Sequence, residues 1–69
     1  MQRQNVESSN LASVGYDEKS QILEIEFNHG GVYQYFDVPI EEYESLMGAD
    51  SLGSYFYHNI RNDYEYAKL

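Results

Sequence analysis

Gly30-Gly31-Val32-Tyr33-Gln34-Tyr35-Phe36-Asp37-Val38-Pro39 holds a hairpin's glycines, a strand of alternating aromatics and the start of a helix. Just before it, Ile22-Leu23-Glu24-Ile25-Glu26-Phe27 has a period of two that sends Leu23, Ile25 and Phe27 to one face and Glu24 and Glu26 to the other. Asn28-His29-Gly30 between them predicts a three-residue loop with Gly30 in the left-handed region. That loop length sets the register: Phe27 stands opposite Gly31, Ile25 opposite Tyr33 and Leu23 opposite Tyr35, so both tyrosines face the core. Glu24 with Gln34 and Ile22 with Phe36 then share the outer face.

Working outward, Leu11 to Tyr16 alternates, with Ala12, Val14 and Tyr16 on one side and Leu11, Ser13 and Gly15 on the other. Residues 1–8 are polar and predict a flexible N-terminal arm. On the other side, Pro39 opens a helix over about 39–47 whose stripe is Ile40, Tyr43, Leu46 and Met47, with Gly48 as a left-handed cap. A second helix over about 51–61 carries Leu52, Phe56 and Ile60, capped by Asp50 or Ser51. Gly53 in its first turn reads as close packing or close ligand approach. Tyr64-Glu65-Tyr66-Ala67 alternates again, the pattern of a short edge strand. The expected fold is α+β: a three-stranded antiparallel meander (about 11–16, 22–27, 31–37) covered on one face by two helices.

Sixty-nine residues make one domain, and at this size only about 60% of the unfolded surface is buried. No cysteine is present, so neither disulfides nor thiolate metal sites supplement the core. Eight tyrosines and three phenylalanines carry the packing. Twelve acidic against four basic side chains give a net charge of −8, which repels polyanions at long range and disfavours RNA as a partner. No apolar run approaches membrane-spanning length and no secretory pattern opens the chain, so a cytoplasmic protein without a membrane partner is expected.

The chain resembles the KTSC domain, a module named for its occurrence at the C-terminus of some lysyl-tRNA synthetases. The carriers of the resemblance are Ser9, Gly15-Tyr16-Asp17, Leu23, Phe27, Tyr33-Gln34-Tyr35, Val38-Pro39, Tyr43 and Leu46. Further on come Ala49-Asp50-Ser51-Leu52-Gly53, Phe56, Ile60-Arg61 and Tyr64, so the match covers roughly residues 6–69. It implies a domain without established activity, for which contact with RNA is suggested by association. Ser54 and Tyr57 both depart from the family's pattern, Ser54 standing where a basic residue is common, and both departures count against phosphate binding.

Each candidate site has two readings. Tyr33 and Tyr35 form either a stacking platform for bases or two core rings, and the register favours the core. Ser51-Leu52-Gly53 either binds an anion with help from Arg61 or caps a helix. Tyr55, Tyr57, Tyr64 and Tyr66 lie off the apolar stripes or near the end, which makes them candidates for exposed recognition surface, and Ser51, Gly53, Tyr55, Tyr57 and Arg61 make up the candidate binding set. Ile22, Val32 and Phe36 on the outer face make up a candidate protein interface. Ser51, His58 and Asp63 can be drawn as a triad, but only geometry defines one. Neither histidine has ligand-like neighbours, so no metal, cofactor or catalysis is expected. The expected function is a binding module for a protein partner or a second copy, with RNA as the alternative.

Overall fold

The computed structural model describes residues 1–69. Its elements run β1 (Arg3–Asn5), β2 (Leu11–Asp17), β3 (Ile22–Phe27), β4 (Val32–Tyr35), α1 (Ile40–Met47), α2 (Leu52–Asn59) and β5 (Tyr66–Lys68). The strands form one antiparallel sheet in chain order. The α+β class stands, and the strand count is corrected to five from three with a short final addition.

Strand β3 lies in the middle of the sheet: Leu23 and Ile25 have no exposed surface, and Glu24 between them is also buried, on the outer face. Leu23 pairs with Tyr35, Glu24 with Gln34 and Ile25 with Tyr33, the register a three-residue loop dictates. The Phe27 N–H donates to the Gly31 carbonyl and the Gly30 N–H to the Phe27 carbonyl, both at 2.9 Å. Gly30 sits at φ 108°, where a Cβ is strained.

Strict alternation in β2 would send Leu11 to the side opposite Val14. Instead a bulge between Leu11 and Ser13 shifts the register, Leu11 pairs with Phe27, and both Leu11 and Val14 enter the core. One extra residue in a strand moves every side chain beyond it to the other face.

The polar segment 1–8 is corrected as well, since Arg3–Asn5 forms strand β1 along β2. Gly15 permits this approach: a Cβ there would stand 2.8 Å from the Gln2 carbonyl oxygen. Arg3 then reaches across the outer face, donating from Nε to Ser13 Oγ at 2.9 Å and pairing its guanidinium with Glu24. Gln34 Nε2 donates to the other Glu24 oxygen at 2.8 Å, and Ser13 Oγ donates to Glu26 at 2.8 Å. Burial pushes the Glu24 carboxyl up, but the hydrogen bonds from Gln34 and Arg3, with the Arg3 charge, outweigh burial and hold it below the ordinary carboxylate range.

The helices cover the opposite face. Val38 comes from the segment just before α1, Leu46 from α1, Phe56 from α2 and Ile60 from its C-cap, and all pack with Leu11, Val14, Leu23, Ile25 and Tyr35 in one core. Both helices are slightly shorter than expected, because Pro39 and Ser51 stand outside as N-caps. Ser51 Oγ accepts from the Ser54 N–H at 3.2 Å. Gly48 corrects an expectation: it is right-handed, at φ −91°. Its N–H still reaches the Glu44 carbonyl, and the Ala49 N–H reaches Leu46, so the chain leaves α1 by tightening the last turn rather than by changing hand. Tyr16 stacks on Tyr43 with centroids 4.8 Å apart and donates to the Val38 carbonyl at 2.6 Å, tying the sheet to the start of α1. No helix is long and apolar enough to cross a membrane.

Candidate functional site

A cleft of about 750 Å³ opens where the β3–β4 hairpin, helix α2 and the loop before β2 meet. Its floor is a set of rings in edge contact. Phe56 lies 5.4 Å from Phe27 and 5.3 Å from Tyr35, and Tyr33 meets Phe27 at 5.4 Å. Tyr66 of β5 leans on Tyr33 and Tyr35 at 5.9 and 5.6 Å. Such tilted and edge-on pairs suit the ring quadrupoles. Tyr35 is buried and Tyr33 half-buried, so both point to the core face while also lining the cleft.

Gly53, Tyr57 and Arg61 recur every four residues along α2 and the turn that continues it, which places them on one stripe facing the cleft. The Arg61 guanidinium carbon lies 4.8 Å from the Tyr57 ring centroid, and Tyr57 is 54% exposed. Gly53 is buried because a Cβ there would meet Ser8 Oγ at 3.2 Å and Asn10 Nδ2 at 3.3 Å, so loop packing accounts for it. Ser51 and Tyr55 do not line the cleft. Ser51 is occupied as a cap, and Tyr55 donates its hydroxyl to Glu42, which also receives Tyr64 Oη at 3.0 Å. Ser51, His58 and Asp63 share no hydrogen bond with one another. Ile22, Val32 and Phe36 are half-buried around the Arg3, Glu24 and Gln34 network of the outer face.

The tyrosines divide by what their hydroxyls do. Those of Tyr16, Tyr55 and Tyr64 are bound within the protein; those of Tyr43, outside the cleft, and of the four that line it, Tyr33, Tyr35, Tyr57 and Tyr66, donate to no protein acceptor. Asn10 and Asn62 likewise keep their side-chain amides free there. The thirteen lining residues include Arg61 and His29 and not one of the chain's twelve carboxylates. The cleft is therefore an aromatic bowl rimmed by hydrogen-bond donors in an otherwise acidic molecule.

Burial pushes the Tyr35 phenol up to about 12, the neighbouring Tyr66 and Tyr33 add to this, and Arg61 opposes it. Burial and then the Glu42 hydrogen bond take Tyr64 to about 12 as well. Both folded values exceed the ordinary 10.0, so the associated stability is intact below pH 10 and is lost as the pH rises from 10 to 12. Urea midpoints should hold steady to about pH 9.5 and then fall. A midpoint unchanged at pH 11 would contradict this assignment.

Hairpin residues Phe27, Asn28 and His29 and strand residue Tyr66 belong to the cleft but were not in the candidate binding set. Nothing local marks the hairpin residues, since tertiary folding alone brings them to α2, whereas the position of Tyr66 off the apolar stripes already suggests an exposed recognition surface. The four-residue spacing of Gly53, Tyr57 and Arg61 was the available signal.

The architecture is that of a small α+β domain with an aromatic cleft at the junction of its two layers. Residues 7–64 match the family model of the KTSC domain, and the chain belongs to that family. A solved KTSC domain protein from Yersinia pestis superposes with a TM-score of 0.96 at 40% identity, covering 99% of this chain and 96% of that one. An uncharacterized protein of Stutzerimonas stutzeri (strain A1501) is 50% identical over 56 residues, 81% of this chain and 79% of the relative. A lysine–tRNA ligase of Nostoc sp. is 36% identical over 63 residues, 91% of this chain but 11% of the ligase. Ser9, Phe27, Tyr33, Tyr35, Gly53, Phe56 and Arg61, seven carriers of the resemblance, all line the cleft.

Proposed function

We propose that this chain is a non-catalytic binding module whose cleft takes an unstacked nucleotide of single-stranded RNA. One observation carries the reading: a cleft walled by aromatic rings, rimmed by free donors and lined by no carboxylate, in a protein of net charge −8. Rings offer a base a stacking surface irrespective of its sequence, and Arg61 with the free phenols and amides offers donors to phosphate and base oxygens. Net charge ranks a protein partner ahead of RNA; the distribution of that charge reverses the order at this site. The similarity to a region of lysine–tRNA ligases agrees with it.

Anisotropy titration of a labelled single-stranded RNA at about 50 mM and about 200 mM salt tests the reading, because phosphate contacts make affinity fall steeply with salt. Tyr57→Ala should weaken binding roughly 5- to 150-fold, the equivalent of about 1–3 kcal/mol per stacked base. Tyr57 is 54% exposed, so circular dichroism should remain that of the wild type. No binding at the lower salt, or equal binding by Tyr57→Ala, refutes the proposal. Concentration-dependent dimerisation in light scattering, without RNA binding, would instead support the protein reading through Ile22, Val32 and Phe36.

A further inference from the structure

A second concavity of about 620 Å³ sits at the tip of the β3–β4 hairpin, lined by Arg3, His29, Gly30, Gly31, Val32, Lys68 and Leu69. His29 lines both concavities, and its ring stacks flat on Phe27 in the cleft floor, 5.3 Å between centroids at 4°. No side-chain carboxylate lines either one, so Arg3, Arg61 and Lys68, three of the chain's four cationic side chains, border a path free of Asp and Glu. These cations are not equivalent. Arg3 is already neutralised by Glu24, which forms the chain's one ion pair. Lys68 has no carboxylate partner; its Nζ lies 6.0 Å from the Tyr33 ring centroid. A cation held against a ring without a counterion is available to an incoming anion.

We infer that this hairpin-tip trough is a phosphate subsite continuous with the cleft, in which Lys68 and His29 take the phosphate next to the nucleotide held by Tyr57 and Arg61. The inference rests on the RNA reading of the cleft and extends it to a ligand spanning at least two nucleotides. His29 and Lys68 are the trough-lining side chains that carry donors without a protein partner, which puts the phosphate on their side. Gly30 and Gly31 carry no side chains to block it.

Adenosine monophosphate and a single-stranded RNA hexamer, each titrated over a range of salt against wild type, Lys68→Gln and Arg61→Gln, separate the two ideas. Losing one phosphate contact lowers the slope of log affinity on log salt by about 0.7 for single strands. Lys68→Gln should lower the hexamer slope by about that amount and its affinity several-fold, while leaving adenosine monophosphate binding unchanged. Arg61→Gln should weaken both ligands. Hexamer binding by wild type with an unchanged slope in Lys68→Gln overturns the subsite and leaves the cleft reading intact. No binding of either ligand by wild type overturns both. Lys68 is an exposed residue of an edge strand, and a thermal melt matching the wild type confirms that the variant is folded.

Discussion

Leu23→Ala is expected to leave the protein largely unfolded at physiological temperature. Leu23 lies on the central strand with no exposed surface, between Tyr16 on β2 and Tyr35 on β4, beneath the two helices. Removing a buried leucine costs about 2–5 kcal/mol, because neighbours that are already packed cannot close the cavity. A domain of this size has only a few kcal/mol of total stability to lose. The melting temperature should drop by about 10–30 °C at 4–8 °C per kcal/mol. Ile22→Ala, one residue away on the outer face and half-buried, should cost under about 1 kcal/mol by comparison. A calorimetric scan in which the two variants melt together would show that the sheet has no privileged face.

Gly15→Val should be nearly as damaging, for a different reason. Backbone, not a flexible side-chain tip, stands 2.8 Å from where its Cβ must go, and the Arg3 Cγ is 3.0 Å away. Strand β1 must move off β2, taking Arg3 from Glu24. Glu24 then keeps Gln34 but loses its cation, and because the strand that covered it has also moved, water reaches the carboxylate and the loss stays below the roughly 3–5 kcal/mol of an orphaned buried charge. The pH dependence distinguishes this from simple overpacking. In the wild type the folded Glu24 carboxyl lies below its ordinary value, so its contribution is present above the unfolded carboxylate pKa and is lost as the pH falls through the folded one. In Gly15→Val the Arg3 contributions are gone and the Gln34 hydrogen bond alone opposes burial, so the folded value rises toward the ordinary one and the loss of stability between pH 6 and pH 4 should be shallower than in the wild type. Arg3→Ala, which adds no atoms, should reproduce that flattening. If urea denaturation of both variants follows the wild-type pH trend, Arg3 is not what holds Glu24 charged.

Local rules read the hairpin from its own residues, since Asn28-His29-Gly30 fixes a loop length and a loop length fixes which faces Tyr33 and Tyr35 occupy. Strand β1 had no such signature. Arg3-Gln4-Asn5 is polar and largely exposed along its length, and what makes it a strand lies elsewhere in the chain, in the missing side chain of Gly15 and the charge of Glu24. The bulge beside Ala12 was hidden similarly, because Leu11 is moved to the core face by the demand of Phe27 opposite it. In the cleft, the motif points to Gly53 and Arg61 and the position off the apolar stripe points to Tyr57, while Ser51 and Tyr55, equally close in sequence, fall on the neighbouring stripe of the helix. Hydroxyl partners, not exposure alone, separate Tyr55 from Tyr57.

The partition of the phenols has a practical corollary. With no tryptophan to dominate its emission, the protein's near-ultraviolet fluorescence comes from tyrosine alone, and half of those fluorophores ring the cavity. Whatever enters there should register as quenching of the unmodified polypeptide, so occupancy becomes optically visible without a dye.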